Sequence, residues 1–298
     1  MANLKEIRLR IGAVKNTRKI TQAMSRIASA RLTRAQNAMT SARAYGERMK
    51  TVVAEAVGGV ADPAEAHALL EQRAEITGEL IVVVTSDRGL CGAFNTNASR
   101  IADRLLHDAK REGREAKVIT VGTKAASYLK HRGYTPVAAF AAPTPDTVVS
   151  TARDVVAHCK EHFLGTGDTP RVDKVHLVYN RFKNVITQEV VAEPLLPVVP
   201  AEADVEAGES GTAVRTFEPN LRAVLDHLVP VAVETQLQQA FFNSAAAELA
   251  ARRQAMDSAT DNAGELINDL TLLYNRERQA AITTELMEIT GGAEALKG

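Results

Sequence analysis

Tryptophan is absent from this chain, and aromatic residues of any kind make up only 4% of it. A core with that composition has to be assembled from Ala, Val and Leu, which suits long helices better than a large aromatic interior. Two cysteines, Cys91 and Cys159, are too few for a disulfide framework and point to a reducing compartment. No apolar run reaches the roughly eighteen residues needed to cross a bilayer. The first turns are charged and lack the apolar stretch of a secretory leader. Net charge is zero, with 36 basic and 36 acidic residues, so no global pull acts toward nucleic acid or a membrane surface. These absences describe a soluble cytoplasmic protein, able to dock on a membrane complex. Its 298 residues allow one or two domains with a sizeable core.

The neutral total conceals a division of charge. Residues 1–57 carry twelve bases against Glu6, Glu47 and Glu55, whereas residues 220–298 carry eleven acids against six bases. Long helices of opposite charge favour each other as partners and disfavour self-pairing. The two ends also share a pattern. Leu4, Ile7, Ile11 and Val14 are spaced three and four apart, as are Met256, Ala259, Ala263, Leu266, Leu270 and Leu273. A mean spacing of about 3.5 residues draws a narrow apolar stripe of the coiled-coil kind.

Between residues 3 and 57 there is no proline and only Gly12 and Gly46 interrupt helix propensity. Asn3 can cap a helix about 80 Å long, which needs a partner along its length to be stable. Gly58, Gly59 and Asp62-Pro63 end it, with a short helix possible through Leu69 and Leu70.

An α/β pattern follows. Leu80–Thr85 is a Val-rich run typical of a buried strand, 86–95 a loop and 98–112 an amphipathic helix. Residues 117–122 read as a strand, 123–131 and 146–163 as helices, and 172–182 with 185–192 as a hairpin around Lys183-Asn184. This order implies a small, mostly parallel sheet with one antiparallel edge. Residues 201–211 hold four acids and no large apolar side chain, so this stretch reads as a mobile linker. The last helix starts at Pro219, meets a kink or break at Pro230 and stops at Gly291-Gly292, on the order of 100 Å later. The fold class is therefore an α/β body on a long antiparallel two-helix coiled coil. The divisions are 1–60 (first coiled-coil helix), 61–78 (linker and short helix), 79–200 (Rossmann-like domain), 201–216 (acidic linker) and 217–298 (second coiled-coil helix).

Chemical motifs are sparse. The loop Ser86-Asp87-Arg88-Gly89-Leu90-Cys91-Gly92 lies between a strand and a helix, where backbone amides can cradle a phosphate. Its spacing fits neither a dinucleotide fingerprint nor a P-loop, so a structural turn is the favoured reading, with Asp87 and Arg88 as a local ion pair and Cys91 a small buried side chain. His158 and His162 are four apart with Cys159 between them, but no further ligand completes a metal site. The seven histidines are otherwise scattered, and no nucleophile elbow occurs. No catalytic, cofactor-binding or metal-binding residue is therefore assigned, and any chemistry belongs to a partner. The basic N-terminal helix lacks interleaved aromatics and spreads its charge over several faces, which favours a solvated or partner-facing surface over nucleic acid. The N-terminal seam turns polar at Arg18 and Thr21 while Ile20, Met24 and Ile27 shift the apolar stripe. At the other end Glu277, Ala280 and Thr284 follow Leu273. Tips of that composition are suited to neighbours other than each other.

These stretches resemble the gamma subunit of F-type ATP synthases, of the bacterial kind. The resemblance rests on Ile7–Ile11, Val14–Met24, Ala30–Gln36, Ser86–Asn95, Ala259–Ala263, Leu270–Leu272, Tyr274–Arg276 and Arg278–Ile289, in order along nearly the whole chain. It implies a central rotor shaft: terminal helices in a ring of alternating alpha and beta subunits, and a body near the epsilon subunit and the c-ring. Proton-driven rotation of the ring would be coupled to ATP synthesis or hydrolysis on the beta subunits, with one copy of the shaft per complex, peripheral to the cytoplasmic face of the cell membrane. By the same resemblance Met24, Arg278, Gln279, Thr283 and Glu285 match beta-subunit contacts, and Phe217 and Glu218 match a foot beside the c-ring. Phe217 stands where the family often has Tyr, and Gln22 and Thr33 where it is commonly basic. No redox-regulatory cysteine insertion of the chloroplast kind is present. The alternative is a nucleotide-binding α/β domain with coiled-coil arms.

Overall fold

The computed structural model describes residues 4–58, 67–165, 170–199 and 220–295. In chain order the elements are α1 (Leu4–Gly58), a 3-10 turn (Ala68–Leu70), β1 (Gly78–Val84), α2 (Phe94–Arg111), β2 (Glu115–Val121), α3 (Thr123–His131), β3 (Ala138–Phe140), α4 (Val148–Leu164), β4 (Lys174–Phe182), β5 (Gln188–Leu196) and α5 (Leu221–Ala295). The acidic linker, Pro219 and Phe217-Glu218 lie outside the described residues. The chain divides into two compact units, residues 1–29 with 252–298, and residues 30–251.

Residues 30–251 form the body. Its sheet has the order β3-β2-β1-β4-β5, parallel throughout except for the antiparallel β4–β5 pair. β1 is central and buried along its whole length, as its unbroken apolar run requires. Its alternate residues feed two cores. Ile81 and Val83 meet Ala98, Ala102 and Leu106 of α2 and Ala125 and Leu129 of α3. Leu80, Val82 and Val84 join the larger cluster, which contains Val155, Cys159 and Phe163 of α4, Val53 and Ala56 of α1, and Leu225, Val229, Val233 and Leu237 of α5. Two helix segments thus close one face of the sheet together with α4. Gly46 of α1 is buried against α5: a Cβ there would lie 1.7 Å from Nε2 of Gln239. That amide donates to the carbonyls of Ala42 and Arg43, both at 3.3 Å.

A polar clamp ties the start of the sheet to the preceding chain. The Asp173 carboxylate accepts the amides of Thr77 and Gly78 and the Thr77 hydroxyl, and Arg73 bonds it at 3.1 Å. Burial alone would raise the Asp173 pKa; the hydrogen bonds from Thr77, Gly78 and Arg73 outweigh it and hold the carboxyl below its ordinary range. The Arg73 guanidinium also stacks on the Phe163 ring, 4.4 Å from its centroid.

Several sequence expectations are corrected. Of the kink or break expected at Pro230, the break does not occur: the helix is continuous through it, with Val229 and Val233 fully buried in the core. Gly291-Gly292 does not end it either: α5 runs on to Ala295, since glycine weakens a helix by about 1 kcal/mol without removing a hydrogen bond. β3, three residues long, was too short to leave a periodic signal.

Residues 4–29 and 252–295 form the second unit. Here Ile7, Thr21, Ser25 and Ala28 of α1, and Met256, Ala263, Ile267 and Leu270 of α5, are buried. Ile267 is 9% exposed and Leu266 40%, so the C-terminal seam runs through Ile267, one residue beyond the expected position. The N-terminal stripe does not shift toward Ile20, Met24 and Ile27, which face outward. Instead the heptad spacing continues through Thr21 and Ser25, each hydrogen-bonded to the other helix. The Thr21 and Thr260 hydroxyls bond at 2.7 Å, and the Ser25 hydroxyl donates to the Asp257 carboxylate. A buried hydroxyl with a partner costs little, so the seam keeps its register without large apolar groups.

Candidate functional site

Three groups of candidate residues have very different surroundings. The Ser86–Asn95 loop is a tightly bonded corner. Ser86 donates its amide to Asn95 Oδ1 at 2.9 Å and its hydroxyl to the Arg88 carbonyl at 2.7 Å. The Asn95 side-chain amide donates to the Arg88 carbonyl and to Cys91 Sγ, both at 3.2 Å. Leu90 adopts the left-handed backbone conformation (φ 64°), as does Gly92 (φ 57°). This turn buries Cys91 and leaves Leu90 61% exposed.

Asp87 does not pair with Arg88. Its carboxylate accepts the Thr123 amide at 2.8 Å and the Ala142 amide at 3.1 Å, and so occupies the N-terminus of α3. An anion arriving at that helix end would meet a carboxylate. Close by, Gly122 (φ 96°) lets β2 turn beside Thr85: a Cβ on it would lie 2.3 Å from the Thr85 carbonyl oxygen. The crevice at the C-terminal ends of the strands, where doubly wound sheets take their ligands, is lined by Thr85, Ser86, Phe94, Pro143, Phe241 and Ser244. α5 fills it to a remainder of about 40 Å³, against several hundred Å³ for a nucleotide-sized pocket.

The histidine pair is likewise built into the fold. Cys159 is fully buried in the core, which pushes its thiol up to about 12. His162 is buried beneath it in sequence, its pKa lowered first by that burial and then by Lys117, while His158 lies 5.7 Å from the Phe140 ring. Among the described residues no group of three or more His, Cys, Asp or Glu is arranged to hold a metal ion.

The remaining candidates are on the coil. Met24 lies with Ile20 and Ile27 on the outward face of α1, at i, i+4 and i+7. Beside that face an open groove is lined by Gly12, Lys15, Asn16, Arg18, Lys19 and Gln22, with Ile267 from α5. Arg278, Gln279, Thr283 and Glu285 are all exposed on α5, where the Thr283 hydroxyl bonds back to the Gln279 carbonyl at 2.9 Å. Carrying the Thr21–Thr260 pairing down the coil brings Leu4 opposite Glu277. Beyond that point α5 has no described stretch of α1 beside it, and residues 278–293 are exposed throughout. Ile282, Leu286 and Ile289 form an apolar line on this tip, a feature that sequence reasoning passed over although its i, i+4, i+7 spacing was visible. Met24 and Arg278 are not brought together. By the same pairing they are about twenty residues, or about 30 Å, apart along the coil.

The chain combines a mixed α/β sheet with two long terminal helices, and comparison with known proteins assigns it to a class. The ATP synthase family model matches residues 3–296. An ATP synthase gamma chain from Geobacter sp. strain M21 is 42% identical over 298 residues, covering all of both chains. One from Chloroherpeton thalassium is 40% identical over 309 residues, covering all of this chain and 99% of the other. In fold the chain is similar to one in the Euglena gracilis mitochondrial ATP synthase assembly of OSCP, F1 and c-ring. That match has a TM-score of 0.65, 20% identity, and coverage of 98% of this chain and 94% of that one. It is also similar to a chain in the central stalk and c-ring of the Tetrahymena thermophila mitochondrial enzyme, with a TM-score of 0.58, 22% identity, and coverage of 80% and 99%. The chain belongs to the ATP synthase gamma-chain family. No helix among the described residues is long and apolar enough to cross a membrane.

Proposed function

We propose that this chain is the central rotor shaft of an F-type ATP synthase, a non-catalytic subunit that transmits rotation of a c-ring to catalytic sites on beta subunits. The observation that carries this reading is the α5 tip. Residues 278–293 extend past the last described partner on α1 and offer Ile282, Leu286 and Ile289 alongside Arg278, Gln279, Thr283 and Glu285. A lone helix of that length is stable only against something else, and a ring of alternating alpha and beta subunits supplies it. The outward line Ile20, Met24, Ile27 and the basic groove beside it give the ring a second level of contact. Beta-subunit loops that meet these two levels differently at each angle would have their conformations biased in turn, which is coupling in the thermodynamic sense.

The foot, by the same reading, contains Phe217 and Glu218 beside the c-ring, with the epsilon subunit against the body. One copy per complex sits at the cytoplasmic face of the membrane, held there by the assembly. The nucleotide-binding alternative is disfavoured by the crevice that α5 fills and by Asp87 at the α3 N-terminus.

Two measurements test the shaft. The full chain should bind a reconstituted alpha/beta hexamer and become protected from protease within it; a chain that stays fully folded and never binds the hexamer sinks the reading. Met24→Lys in membrane vesicles should lower the protons pumped per ATP hydrolysed while assembly is retained. An unchanged ratio would remove Met24 from the coupling contact.

A further inference from the structure

Exposed charge is shared unequally between the two faces of the body's sheet. On one face α2 and α3 bury Ala98, Ala102, Leu106, Ala125 and Leu129 against the strands. Outward, α2 presents Arg100, Arg104, His107 and Arg111, spaced four, three and four apart and so aligned on one side of the helix. Lys110 flanks this line over the Tyr134 ring, 4.3 Å from its centroid. Lys124 and Lys130 extend the surface on α3, and Arg132 follows at its end over Tyr128.

The carboxylates on these helices do not offset it. Asp103 and Asp108 are only partly exposed and already engaged, by Arg132 at 3.8 Å and by Arg111 at 3.6 Å. The exposed charged side chains within α2 and α3 are all cationic, and the exposed carboxylate just after α2, Glu112, is bonded to Arg114. On the opposite face α4 exposes Arg153, Asp154 and Glu161, a mixed set. In a chain with equal numbers of acids and bases, the one-sided surface is a matter of placement.

We propose that the α2–α3 face docks an acidic protein surface. Charge complementarity selects the occupant, and the character of the face narrows it. Neither helix exposes a large apolar side chain, so there is no wedge to enter a bilayer. The two tyrosines are partly covered beneath their cations, so there is no free platform for stacked bases. What remains is three guanidinium groups, Arg100, Arg104 and Arg111, over about 16 Å of helix, the last also held by Asp108, a spacing suited to carboxylates. The surface belongs to the body alone and does not rest on the contacts assigned to the coil.

The test is zero-length carbodiimide coupling in the intact ATP synthase that contains this chain, with products identified by mass spectrometry. Lys110, Lys124 or Lys130 should be found joined to Asp or Glu of another polypeptide. R100E/R104E/R111E should reduce that product at least about tenfold, and R100K/R104K/R111K should retain it. Absence of any such product, or equal yield in the charge-reversed variant, overturns the proposal. Flotation of the full chain with phosphatidylglycerol but not phosphatidylcholine vesicles, lost on charge reversal, would assign the face to a membrane surface instead. Salt-sensitive retention on duplex DNA, lost in the same variant, would assign it to nucleic acid, and either result rejects the acidic-protein reading.

Discussion

The same two helices are packed by opposite rules in the two units. Within residues 30–251 their inward side chains are large and sealed: Leu225, Val229, Val233 and Leu237 are fully buried against a sheet. Within 4–29 and 252–295 the seam is narrow and partly polar, while Leu9, Ile20, Ile27 and Leu272 face outward. The first arrangement anchors a body. The second keeps the helices in register and leaves apolar side chains on the outside.

That contrast can be broken first at its strong end. Leu237→Ala should cost about 2–5 kcal/mol in urea unfolding of the full chain, since a fully enclosed side chain leaves a cavity. A loss below about 1 kcal/mol would mean that the helices do not share the body's core. Acid should act next, and on the same unit. His67 and His176 both have pKa values lowered mainly by burial, and His67 Nδ1 accepts the Leu69 amide at 3.0 Å, which a protonated ring cannot do. Their folded values lie below the unfolded value of about 6.5, so the stability they contribute is present above that pH and lost as pH falls through the folded values. Asp173, also held low, extends the loss below about pH 4. Urea midpoints that stay flat from pH 7 to pH 3 would contradict both.

In the coil, effects should be smaller and of a different kind. Ile267→Ala should cost roughly 1–2 kcal/mol and Leu266→Ala under about 0.5 kcal/mol; the reverse order would restore the seam through Leu266. Smallest of all, Thr21→Val with Thr260→Val should leave stability within about 1 kcal/mol, because both partners of the hydrogen bond are replaced by groups of similar shape. A large loss would show that the polar pair supplies strength and not register.

The sequence reading reached some elements and missed others for physical reasons. The run through Val84 and the helix Thr123–His131 were legible because burial on both faces and a clean amphipathic pattern leave strong local signals. The sheet's mostly parallel order followed from the alternation of elements. The seam's rotation was not legible. Leu266 and Ile267 are adjacent and both apolar, and only the opposing helix decides which turns inward. Asp87 posed the same difficulty: a neighbouring Arg88 suggested an ion pair, while its real partners, the amides of Thr123 and Ala142, are brought close only by the folded sheet. The cationic α2–α3 face was hidden by a net charge that sums to zero.

The bare α5 tip has a consequence for the life of the chain before assembly. Residues 278–293 have little to hold them helical on their own, and the apolar line of Ile282, Leu286 and Ile289 is open to any chaperone or protease. A copy without partners therefore keeps that apolar line in water. Limited proteolysis of the full chain should therefore cut first within residues 278–293, ahead of any site in the sheet.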